Sequence, residues 1–198
     1  MYMGGNIMND KRDYELFAAA LSLAAVRHGG QTRKDKVTPY IYHPIAVAGL
    51  VRDAGYDLRY QTVAVLHDVL EDTETDEEEL VVFGEDILEA VKLLTRPEGA
   101  DEAKYVAKIL QNPIARVVKN ADKICNLWDA MYEGTPGEKR TKKVRSFAEK
   151  YIKKSEDFYK GRFSKALDDS IERAHILLSE DIVSERQYPS YSREEMTF

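Results

Sequence analysis

The chain has 198 residues, 43% hydrophobic and 32% charged, with a formal net charge of −6. That length suits one domain able to bury its own core, and that composition excludes a disordered, collagen-like or coiled-coil chain. A single cysteine, Cys125, excludes a disulfide framework and a thiolate zinc site, and the acidic balance argues against a nucleic-acid binder.

Helical signals dominate from the start. Asn9 or Asp10 is placed to cap a helix that runs to about Arg27 and stops at Gly29-Gly30. Its apolar run, Leu16 to Val26, is too short to cross a bilayer. Nothing ahead of it reads as a signal peptide, so a cytoplasmic location without membrane contact is expected. Gln31 to Tyr42 is polar, holds Pro39 and reads as a loop. Pro44 suits the first turn of a helix ending near Gly55. Asp57 caps the next, predicted to continue through Val63, Val65 and Leu66 to about Glu71. Thr75 with Glu78 reads as a capping box, and Gly84 closes the short helix behind it. Ile87, Val91 and Leu94 mark another helix, broken at Pro97 and Gly99, and Tyr105, Ile109 and Leu110 mark one more. Asn112-Pro113 opens a long helix carrying Ile114, Val117, Val118, Ala121 and Leu127. Glu133 to Gly137 is the clearest linker. Helices at about 138–160 and 162–179 follow, and 181–198 reads as a flexible tail. With no sustained period-2 pattern, the fold class is all-α: a main domain over 1–135, with C-terminal helices over 138–180 packing on or covering it.

Charge is unevenly spread. Leu66 to Glu102 holds 14 acidic and 2 basic residues, whereas Lys139 to Lys165 holds 11 basic and 3 acidic. Either both are solvated helix surfaces, or a cationic cover faces an acidic, metal-holding segment. On the second reading Lys143 is a candidate phosphate contact.

The chemistry concentrates in three segments. In His67-Asp68-Val69-Leu70-Glu71-Asp72, a continuous helix would stack Glu71 over His67 and Asp72 over Asp68. One imidazole and three carboxylates cannot be buried together without compensation, which a divalent cation supplies. The alternative is that these groups only cap a helix end beside an acidic loop. Asp122 and Asn126 lie four apart on the long helix, and His43 stands where a loop becomes a helix. Two imidazoles and two carboxylates suit manganese, iron or zinc better than calcium. Among the remaining candidates, His28 reads as a structural hydrogen-bonder, His175 as an ordinary helix residue, and Cys125 as a core residue. Tyr40, Tyr42 and Trp128 are able to stack on a base, with core packing the better reading for Trp128.

Six blocks in order resemble the HD superfamily of metal-dependent phosphohydrolases: His28 to Lys34, Pro39 to Pro44, His67 to Thr73, Phe83-Gly84, Leu94-Thr95 and Lys119 to Leu127. They are most similar to the hydrolase domain of Rel/SpoT-type alarmone enzymes and to the stand-alone small alarmone hydrolases. The resemblance implies an HD-domain helical bundle, with His43, His67, Asp68 and Asp122 as metal ligands. It implies Glu71 and Asp72 as the acids that handle water, and Arg33, Lys34 and Asn126 as nucleotide contacts. The expected activity is manganese-dependent hydrolysis of the 3′-pyrophosphate of (p)ppGpp, one Mn2+ per chain, with no synthetase. Another nucleotide phosphate (ppApp, NADPH or a nucleoside monophosphate) is the alternative substrate, and a non-catalytic nucleotide-binding module the alternative class. A small nucleotide is the expected partner, nucleic acid is not, and a homo-oligomer is left open. Two departures from the family pattern stand out: Asn120 in place of the usual leucine, and the loop Arg96-Pro97-Glu98-Gly99.

Overall fold

Asp57, Asn112, Thr141 and Ser164 each accept a hydrogen bond from a backbone N–H two or three residues on, and each starts a helix. The computed structural model describes residues 7–198, with side chains from residue 11 onward. Among these the chain forms ten α-helices and no strand. They are α1 (Ile7–Arg27), α2 (Tyr42–Asp53), α3 (Leu58–Leu66), α4 (Val69–Asp72), α5 (Glu77–Leu80), α6 (Glu85–Leu94), α7 (Glu102–Ile109), α8 (Pro113–Met131), α9 (Lys142–Phe158) and α10 (Lys165–Ser179). No described helix is long and apolar enough to cross a membrane.

α3 is buried all round from Gln61 to Leu66, as a helix at the centre of a bundle must be. It packs against α1, α2, α6 and α8. α2 ends at Gly55, whose φ of +82° is a conformation only glycine takes at no cost. α8 lies across α2 and α3, buries Val117, Val118, Ala121, Ile124 and Leu127, and receives α9 and α10 on its other side. The site therefore sits where α2, the α3–α4 junction and α8 meet.

Four expectations change. Asn9 and Asp10 lie within α1, which is described from Ile7, and do not precede it; their side chains fall outside the described residues. The capping box is Asp76 with Glu79, one residue later than expected, because Thr75 is buried with its hydroxyl against that of Thr73 at 2.7 Å. The helix starting after Asp57 stops at Leu66 and restarts at Val69. The segment after Asp181 is docked: Val183 and Met196 are buried, and Glu195 O accepts from Ala166 N. Asn120 takes part in that docking. Its amide exchanges hydrogen bonds with the Ser164 hydroxyl at 2.8 and 3.0 Å and meets Met196 Sδ at 3.4 Å. A leucine there would leave the buried Ser164 hydroxyl without those bonds.

Candidate metal centre and substrate cleft

The break between α3 and α4 builds the centre. His67 closes α3 and places its Nδ1 2.7 Å from Ala64 O, so Nδ1–H donates there and Nε2 turns inward. That Nε2 is buried and has no hydrogen-bond partner. Asp68 opens α4 with Oδ2 3.1 Å from His67 Nε2 and 3.7 Å from His43 Nε2. From α8, Asp122 Oδ1 stands 3.2 Å from His43 Nε2 and 3.7 Å from His67 Nε2. Ligand atoms of His43, His67 and Asp122 all lie within 4.8 Å of one another. Two imidazole nitrogens and two carboxylate oxygens thus converge in a buried space, with one nitrogen orphaned. This donor set fits a divalent cation.

Charges around the centre are strongly biased. Burial alone would raise the Asp122 carboxyl, but Lys119 Nζ at 3.1 Å and Lys123 hold it well below the usual range. Burial lowers the pKa of His43. At His67 the carboxylates of Asp68 and Asp122 outweigh burial and push it up to about 10. A cation held there takes the place of that proton. Burial, with Lys119 beside it, lowers Lys123 to about 8.

Glu71 and Asp72 part company. Glu71 Oε2 accepts from Arg96 N at 2.9 Å, on the loop after α6. Asp72 stays over Asp68 as expected, its N–H donating to Asp68 O at 2.9 Å, and the Tyr40 hydroxyl lies 2.7 Å from a carboxylate oxygen of each. Tyr40 is itself held by His28, stacked at 4.7 Å between ring centroids, while His28 Nδ1 lies 2.8 Å from Gln31 Oε1. Gln31 Nε2 donates to Asp72 O at 2.7 Å. Glu71, Asp72 and Gln31 line an open groove beside the centre.

On the other side lies a cleft of about 420 Å³, lined by Arg33, Lys34 and Asn126 among others. Asn126 Nδ2 donates to Asp122 Oδ1, which ties this cleft to the metal centre. Arg33 donates to Asn126 Oδ1 at 3.1 Å and pairs with Asp129 at 2.5 Å. Lys34 lies over the Phe147 ring at 4.4 Å, and burial beside Arg33 lowers its pKa. The structure does not bring Lys143 to the cleft. It is exposed on α9, which sends Phe147, not a cation, into the lining. Trp128 is buried and stacked on Tyr132, and His175 pairs on the surface with Glu156.

The HD domain family matches residues 20–151, about two-thirds of the chain, which take in His43, His67, Asp68, Glu71, Asp72 and Asp122 together with Arg33, Lys34 and Asn126. The chain belongs to the HD domain family. Over 121 residues it is 40% identical to the human protein named guanosine-3′,5′-bis(diphosphate) 3′-pyrophosphohydrolase MESH1, covering 56% of this chain and 66% of that one. The Xenopus tropicalis MESH1 is 38% identical over 128 residues, covering 59% and 70%. A probable GTP pyrophosphokinase of Mycobacterium leprae is 31% identical over 149 residues, 70% of this chain but only 19% of that much longer one. A solved structure described as a metazoan orthologue of SpoT that hydrolyses ppGpp superposes with a TM-score of 0.57 at 25% identity, covering 81% of this chain and 94% of its own. The HD domain expected from the motif blocks is the one found.

Sequence reasoning missed Lys119, Lys123 and Asp129 as neighbours of the HD centre. The signal was present: with Asp122 and Asn126 they form one polar stripe along α8 at spacings of three and four. Arg186 also lines the cleft, and no local pattern announces it.

Proposed function

We propose that this HD-domain protein is a manganese-dependent phosphohydrolase that removes the 3′-pyrophosphate of (p)ppGpp, releasing GDP or GTP and pyrophosphate in the cytoplasm. The observation that carries this reading is the convergence of His43, His67, Asp68 and Asp122 next to a cleft lined by Arg33, Lys34 and Asn126. Relatives that bear this activity in their names support it. A divalent cation bound by those four residues would lower the pKa of water and draw charge from the phosphoryl oxygens.

The chain's own groups do the rest. Asp72, aimed by Tyr40, and Glu71, across the same groove, accept the proton of the attacking water. The new bond forms between water oxygen and phosphorus, the bond from phosphorus to the ribose 3′ oxygen breaks, and the proton these acids take from water passes to that leaving oxygen, which departs as a hydroxyl. Arg33 and Lys34 bind anionic oxygens away from the reacting phosphorus.

The test is a panel of ppGpp, ppApp, NADPH and nucleoside monophosphates, assayed with manganese, zinc and iron on metal-stripped protein. Release of pyrophosphate from ppGpp, greatest with manganese and lost together with bound metal in His67→Ala and Asp122→Ala, is the expected result. Preference for another nucleotide moves the substrate while keeping the centre. Full metal occupancy in both variants removes the ligand assignment.

A further inference from the structure

We propose that Arg186, on the segment that follows α10, binds the 5′-phosphates of the substrate at the end of the cleft remote from the metal centre. The proposal rests on the pyrophosphohydrolase reading, because a nucleotide cleaved at its 3′ side leaves a second anionic group to be held elsewhere.

One face of α8 carries Asp122, Asn126 and Asp129. Hydrogen bonds run outward along it: Asn126 to Asp122, Arg33 to Asn126, and Arg33 to Asp129. Asp129 then turns its second oxygen to the C-terminal segment. Its Oδ1 lies 3.2 Å from Arg186 Nη1 and accepts the Tyr188 hydroxyl at 2.8 Å. A single carboxylate therefore holds two guanidiniums along one wall of the 420 Å³ cleft, and one negative charge cannot neutralise both.

Lys34 adds a third cation to the lining. Asp35 also lines the cleft, but its carboxylate is turned into its own loop, accepting from the Thr38 hydroxyl and from Val37 N and Thr38 N. The lining thus holds three cations, Arg33, Lys34 and Arg186, and three carboxylates, Asp35, Asp129 and Glu133, with Arg186 close enough to Asp35 to help lower its pKa. A guanidinium offers five N–H donors, and among the described residues only Nη1 of Arg186 has a hydrogen-bond partner, while the group lies over the Tyr188 ring at 5.9 Å. The free donors suit two phosphate oxygens in a fork. Residue 186 lies beyond the region matched by the HD family, so this contact belongs to the C-terminal segment of this chain.

The probe is GDP, which carries a 5′-diphosphate and no 3′ phosphate, with guanosine as the uncharged control. Binding is measured by calorimetry on wild type, Arg186→Gln, Arg186→Lys and Tyr188→Phe, each checked for an unchanged melting temperature. Arg186→Gln should weaken GDP about tenfold or more and leave guanosine unchanged. It should raise KM for ppGpp with little change in kcat. Arg186→Lys should recover part of the loss. Tyr188→Phe, which loosens the segment but keeps the guanidinium, should retain GDP affinity.

Equal GDP affinity in wild type and Arg186→Gln overturns the proposal. So does an equal loss for guanosine, which would make Arg186 a wall rather than an anion contact, and so does a wild type that does not bind GDP. If wild type fails to hydrolyse ppGpp while GDP binding still depends on Arg186, the proposed reaction falls and the anion subsite stands.

Discussion

One hydroxyl proton cannot satisfy two carboxylates, yet the Tyr40 hydroxyl lies 2.7 Å from both Asp68 and Asp72. A cation held by Asp68 would draw charge from that carboxylate and make Asp72 the stronger acceptor, and the Tyr40 proton would then go to Asp72. Tyr40 is on this account a positioning residue. Tyr40→Phe should keep the bound metal and lower kcat about 10- to 150-fold, the equivalent of one charge-assisted hydrogen bond of roughly 1.5–3 kcal/mol. Metal analysis beside single-turnover kinetics checks it, and loss of metal would place Tyr40 in the ligand frame instead. Glu71→Gln gives the complementary result. The amide oxygen can still accept from Arg96 N, so the loop is kept while the base is lost. Turnover should collapse with metal retained. A metal loss equal to that of Asp68→Ala would make Glu71 a ligand.

At the scale of elements, the sequence shows most clearly where chemistry is local. Asp57 and Asn112-Pro113 start helices because a short side chain meets backbone N–H groups two or three residues on. The stop after Leu66 was illegible, because Val69 and Leu70 continue the apolar pattern while the break depends on His67 bonding to Ala64 O. Asn120 looked like a departure beside a ligand because its partners, Ser164 and Met196, lie 44 and 76 residues away. Another long-range tie is Glu102 in the first turn of α7, which accepts from the Tyr159 hydroxyl at 2.5 Å and pairs with Arg96 at 2.5 Å. Burial opposes its ionisation, but Tyr159, Lys154, Arg96 and Lys123 outweigh burial and lower its pKa. A carboxyl lowered on folding stabilises the fold above its unfolded pKa, and that contribution fades as pH falls through the folded value. Glu102→Gln should therefore cost about 1–3 kcal/mol at pH 7. The gap should narrow below about pH 4.5. Urea melts at pH 7 and at lower pH read it, and a pH-independent gap would make the role one of shape alone.

Across the whole molecule, the metal centre joins parts of the chain that are far apart in sequence: His43 from α2, His67 and Asp68 from the α3–α4 junction, and Asp122 from α8. The unfolded chain brings no such set together, so a cation that binds the folded form stabilises it by mass action. At a free metal concentration 100 times the Kd this amounts to about 2.7 kcal/mol. In a domain of this size that raises Tm by about 5–10 °C. Chelation should remove the increment, and each further tenfold of metal should add about 1.4 kcal/mol. Asp122→Asn keeps the shape beside Lys119 while weakening the oxygen donor, and His67→Ala removes the orphaned nitrogen. In both variants the dependence of Tm on metal concentration should flatten. The sharper measure is this slope and not Tm itself, since Asp122→Asn also leaves the Lys119 ammonium, 3.1 Å away, without its partner and lowers Tm at every metal concentration. A variant that keeps the full wild-type slope holds its cation through other residues, and the four-ligand assignment then fails at that position.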